Sequence, residues 1–163
     1  MPKVPLTPPE ILTLLRANPG QIASLTAELT PAQLGASPAP DAWSLTGILA
    51  HLRACTDVWG ACIAAMLAED QPTIRAINPR AWITRTDYRD LAFASSFAAF
   101  TAQRDDLLAI LDALTPEQWE RNATVTGAGA PLTRDVHFYA QWLATHERSH
   151  LKEMARVAAT VRG

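Results

Sequence analysis

The chain has 163 residues, 48% of them hydrophobic and 18% charged, enough for one domain and too few for two well-filled cores. Its 14 Lys and Arg against 16 Asp and Glu give a net charge of -2, with no basic run, which excludes a phosphate backbone as an expected partner. The longest apolar stretch, Ala61 to Ala68, falls far short of the roughly 20 residues that cross a bilayer, and Met1-Pro2-Lys3-Val4-Pro5 leads into no signal-peptide core. A cytoplasmic protein of one domain over residues 1–163, without membrane or nucleic-acid partners, is the expectation.

Thr7-Pro8-Pro9-Glu10 is a capping box with proline at the first helical position, opening a helix through Ile11, Leu14, Leu15, Ile22, Leu25 and Leu29. Pro19-Gly20 is expected to kink or break it. Residues 30–43, with Pro31, Gly35, Pro38 and Pro40, read as a linker, after which Ser44 caps a second helix reaching about Glu69. Its apolar stripe is Leu45, Ile48, Leu52, Cys55, Trp59, Cys62 and Met66. Cys55 and Cys62 would lie about 10 Å apart on that helix. That exceeds the reach of a disulfide, about 7 Å.

An irregular stretch from Asp70 to about Asp87 precedes a third helix with the stripe Phe93, Phe97, Phe100, Leu107 and Leu111, interrupted by Arg104. Thr115-Pro116-Glu117-Gln118 starts a short turn that repeats the pattern of Thr30-Pro31-Ala32-Gln33. Gly127-Ala128-Gly129 is a loop, and Thr133 is the expected cap of a fourth helix ending near Val161. No segment alternates with period two for long enough to claim a sheet. Long amphipathic helices in so small a domain bury their faces only around a shared core, so an all-α four-helix bundle with short extra helical turns is expected.

The fourth helix carries Tyr139, Leu143, His146, His150, Val157 and Val161 at steps of three or four. Its two histidines are about 40° apart around the axis and about 6 Å along it, so one cation can bridge them. The alternative is a pair of core histidines, each satisfied by a carboxylate or carbonyl. His146-Glu147-Arg148-Ser149-His150 matches the H-E-x-x-H pattern of zinc proteases, in which the glutamate is the base. Those enzymes take a third ligand from beyond the motif, where this chain offers only Glu153. His51, at the border of the second helix's stripe, is the better third ligand. Cys55, one turn on, is an alternative thiolate donor, although a cysteine in such a stripe is more commonly a small core residue. His137 points away from the stripe and is expected at the surface or a subunit contact. Trp59 and Trp142 read as core or pocket wall.

Trp43-Ser44, then Ile48-Leu49-Ala50-His51-Leu52, then the His146/His150 pair, in this order of helices, resemble the DinB-like superfamily of bacterial four-helix metalloproteins, which includes YfiT-type thiol transferases. The resemblance implies that His51, His146 and His150 hold a divalent zinc, nickel, iron or manganese ion. It further implies homodimers and a small-molecule substrate, with a thiol transferase using a low-molecular-weight thiol or a hydrolase as the activity. A metal-binding, stress-responsive protein without turnover is the competing reading. Glu147 is the candidate base, and Arg104 the candidate binder of a substrate anion.

Overall fold

A computed structural model describes residues 4–163, so the Met1-Pro2-Lys3 opening lies outside the described residues. In chain order the elements are α1 (Pro8–Thr26), α2 (Pro31–Gly35), α3 (Leu45–Ala68), β1 (Thr73–Arg75), α4 (Pro79–Trp82), α5 (Phe93–Asp112), α6 (Pro116–Trp119), β2 (Asn122–Thr126), β3 (Leu132–Asp135) and α7 (Val136–Arg162). Two 3-10 turns, Ile83–Arg85 and Tyr88–Asp90, follow α4. Capping boxes open α1, α2 and α6: Thr7, Thr30 and Thr115 accept from the backbone three residues on, and Glu10, Gln33 and Gln118 reach back. The two segments noted as alike are thus the same device, used twice to start a short helix.

The long helices α1, α3, α5 and α7 form the expected bundle. Helix α3 packs on α7 and α5, and α1 packs on α7 and α5. Around the bundle the order is therefore α1, α7, α3, α5, and the connections from α1 to α3 and from α5 to α7 cross its diagonals. Apolar burial divides in two. One end gathers Ile11, Leu15, Ile63, Met66, Leu111 and Leu143; the other gathers Ile22, Ile48, Leu52, Phe100, Met154 and Val157. Helix α3 is long and apolar enough to span a bilayer by length and composition, yet most of it is covered by its neighbours within the bundle.

Between the two apolar ends lies a buried polar layer of Asn18, His51, Arg104 and Glu147. It explains why Pro19 does not break α1, which runs unbroken from Pro8 to Thr26. Proline has no N–H to give the carbonyl four residues back. That carbonyl, on Leu15, instead accepts from Arg104 Nη1 at 3.0 Å.

Three further expectations need correction. A three-stranded sheet is present, in the order β1-β2-β3, with β1 parallel to β2 and β2 antiparallel to β3. Its strands are only three to five residues long, too short for alternation to register in sequence. Thr133 lies in β3, and the cap of α7 is Asp135, whose carboxylate accepts from Phe138 N–H at 2.7 Å. The supposed linker and irregular stretch hold α2, β1, α4 and the 3-10 turns. Cys55 and Cys62 are free, as their spacing requires.

Candidate metal centre

The sequence supplies the site through helix periodicity. His146 and His150 are one turn apart on α7, and His51 faces them from the adjacent α3. His51 Nε2 lies 3.4 Å from His146 Nε2, which is 3.2 Å from His150 Nε2. The His51 and His150 ring centroids are 4.9 Å apart. Three imidazoles from two helices thus converge through the same ring nitrogen.

These separations have a chemical meaning. Nitrogens bound at 2.0–2.1 Å in a tetrahedral shell stand about 3.3 Å apart. His150 Nδ1 donates to Glu153 Oε2 at 2.8 Å, which leaves its Nε2 lone pair for the centre of the cluster. His146 Nδ1 is buried without a hydrogen-bond partner among the described residues. Adjacent nitrogen lone pairs repel unless a proton or cation stands between them, and one cation relieves all three. The two nitrogen separations, 3.4 and 3.2 Å, match those of ligands on one ion, and the cluster around His51 and His146 can hold a metal.

The environment keeps the rings of His51 and His146 neutral, as ligation requires. Burial, reinforced by His150 and His146, pushes His51 from its ordinary 6.5 down to about 3. Burial and then His150 push His146 down to about 4. Both groups bind fewer protons folded than unfolded, so their neutrality adds stability above pH 6.5 and is lost as the pH falls toward the folded values. Urea unfolding of chelator-treated protein should accordingly show a lower midpoint at about pH 5 than at about pH 7.5, and His146→Ala should flatten that dependence. A midpoint indifferent to pH would contradict this account of the site.

Aromatic rings wall the cluster. Trp43 lies 4.9 Å from His51 and stacks at 6.4 Å against His150, and Trp59 meets His146 edge-on at 5.1 Å. Trp142 packs edge-on against Trp59, so Trp59 walls the site and Trp142 backs it from one ring further out. A cleft of about 240 Å³, lined by Asp41, Ala42, Trp43, Arg80, His150 and Glu153, opens onto it. A larger groove of about 620 Å³ between α1 and α7 contains none of the histidines.

Cys55 Sγ lies 3.5 Å from His51 Nε2. His51, Cys55 and His146 form an alternative donor set with ligand atoms within 4.8 Å of one another. Burial, and then the charge of Glu147, push the Cys55 thiol up, so this donor is harder to ionise than the imidazoles are to keep neutral.

Glu147 and Arg104 do not stand where the expected roles need them. Each side chain is 1% exposed, and the two form an ion pair across the diagonal between α5 and α7. Glu147 Oε2 also accepts from Asn18 Nδ2 at 3.1 Å. Burial takes both away from a substrate arriving by the cleft, because an open base or anion binder must keep part of its charge accessible. His137 is another correction. It is half-buried, and its Nε2 bonds the carbonyl of Leu6 at 2.6 Å.

Sequence reasoning passed over Asp57, which fastens the segment after β1 to α3. It accepts from Trp82 Nε1 at 3.1 Å, from Tyr88 Oη at 2.6 Å and from Gln103 Nε2 at 2.6 Å. No local pattern announces such a hub, since its partners lie 25 to 46 residues away. Glu153 had a usable signal, three residues beyond His150, but as a partner of the ligand rather than a ligand.

The solved structure of YfiT from Bacillus subtilis, described as a probable metal-dependent hydrolase with an unusual four-helix bundle topology, superposes with a TM-score of 0.75. At 19% identity it covers 96% of this chain and 91% of its own, a likeness of fold. No curated protein matches the chain. The family model of the DinB superfamily matches residues 14–154, a span containing all three clustered histidines, and the chain belongs to that superfamily.

Proposed function

We propose that this protein is a metal-dependent enzyme acting on a small molecule, with one divalent cation held by His51, His146 and His150 beside the cleft. The convergence of three Nε2 atoms within 3.2 to 3.4 Å along the chain of contacts carries the reading. Imidazole donors suit zinc, nickel or iron better than manganese, which prefers oxygen. Such an ion, when bound, supplies the Lewis acidity that ionises a water or a thiol near neutral pH.

The chain's own groups provide the rest. Glu153 orients His150, the tryptophans exclude bulk water from one side, and the cleft admits a compact substrate past His150. Three protein ligands leave coordination positions for the reacting nucleophile, which is the pattern of a catalytic rather than a closed site. A purely structural staple is disfavoured by the packing. Ile48, Leu49 and Leu52 of α3 already share an apolar cluster with Leu151, Met154 and Val157 of α7.

The test is chelation followed by two assays, hydrolysis of a nitrophenyl ester and transfer of a small thiol onto an aryl halide. Turnover in at least one should vanish with the metal and return with it, while helical content and the melting transition change little. Cys55→Ser should still bind one ion per chain. Collapse of the bundle on chelation, or loss of the ion in Cys55→Ser, would overturn the proposal.

A further inference from the structure

Among the described residues Arg80 is the one Lys or Arg lining the cleft. Its position is built rather than incidental. Asn78 caps α4 by accepting from Arg80 N–H at 2.9 Å, and Trp82 of the same helix donates to Asp57 of α3. Ile83 is buried against Ala50 and Ala54, which flank His51 in sequence, and Arg53 lies 3.7 Å over the Tyr88 ring. This fastening sets the Arg80 guanidinium 4.8 Å above Trp43, the ring that stacks on His150. Among the described residues its guanidinium makes no hydrogen bond and no ion pair. A guanidinium resting its face on an indole keeps its N–H edge for a planar anion.

We propose that Arg80 is the specificity determinant of the site and that the substrate carries a carboxylate, gripped by this guanidinium while its reacting group reaches the metal beside His150. The inference rests on the metal reading above. Charge supports it. Glu153 is taken by His150, and Asp41 is the other carboxylate lining the cleft. A divalent ion together with Arg80 outweighs these two, so the loaded cleft is cationic and favours an anion.

Zinc-loaded protein and its Arg80→Ala and Arg80→Lys variants provide the test, with matched thiols as probes. 3-Mercaptopropionate and 6-mercaptohexanoate carry the carboxylate; propane-1-thiol and hexane-1-thiol lack it. Calorimetry should show the better-fitting acid binding wild type about tenfold or more tightly than its uncharged partner. In Arg80→Ala the preference should fall to about twofold or less with zinc content unchanged, and Arg80→Lys should lie between, having the charge but not the fork. Equal binding of acid and uncharged thiol by wild type overturns the proposal, as does a preference that survives in Arg80→Ala or binding of neither thiol. A protein that loads zinc but shows no preference refutes this inference alone; one that takes up no zinc refutes the metal reading with it.

Discussion

Replacing Arg104 with methionine is expected to destabilise the fold by about 3–5 kcal/mol, the range seen when one partner of a buried ion pair is removed. Two groups lose their partner at once. The Glu147 carboxylate, 1% exposed, keeps only Asn18 Nδ2, and the Leu15 carbonyl left open by Pro19 loses Arg104 Nη1. An uncompensated charge in the middle of the bundle is the larger cost, because burial at 1% exposure cuts the carboxylate off from bulk solvent. Arg104→Met combined with Glu147→Met should recover most of the loss, since apolar side chains of similar volume replace both charges. Urea unfolding of the two variants decides the matter. An Arg104→Met protein as stable as wild type would show that the pair across the diagonal does not hold the helices.

The same pair shows how far sequence reasoning reaches. Arg104 is legible as a charge inside an apolar stripe and Glu147 as the carboxylate within His146-Glu147-Arg148-Ser149-His150, at the stripe's edge, and each invites a functional role when considered singly. Their pairing is not legible, because they are 43 residues apart and meet only through a bundle order that crosses its diagonals. Pro19 tells the same story: its local rule predicts a break, and a side chain 89 residues from Leu15 removes the reason for one. The four long helices were readable because apolar residues recur every three or four positions over 19 to 27 residues. The sheet was not, since β1 is three residues long and finds its partner some 50 positions on, Thr73 against Thr124.

The histidines occupy a middle ground. Spacing alone puts His146 and His150 on one face of α7, and the border position of His51 turns it toward a neighbour. What spacing could not supply was the surroundings that make the cluster chemical: Trp43 and Trp59 around it, Glu153 behind His150, and Arg80 held at the rim through Asp57. Each depends on connections whose path is set by tertiary packing.

Loss of any one histidine should abolish stoichiometric metal binding. Removing a hydrogen-bond partner behind a ligand typically weakens affinity 10–100-fold, so removing a ligand from a set of three should cost at least about 100-fold. His51→Ala is the most telling substitution, because it deletes the contribution of α3 and leaves the His146/His150 pair untouched. The measurement is competition for zinc against a chromophoric chelator by wild type, His51→Ala, His146→Ala, His150→Ala and the control His137→Ala, whose ring bonds Leu6 instead. Wild type and His137→Ala should each hold one zinc per chain, and the three cluster variants should surrender it to the chelator. Wild-type affinity retained by His51→Ala would contradict the claim that imidazoles from two helices share a single ion.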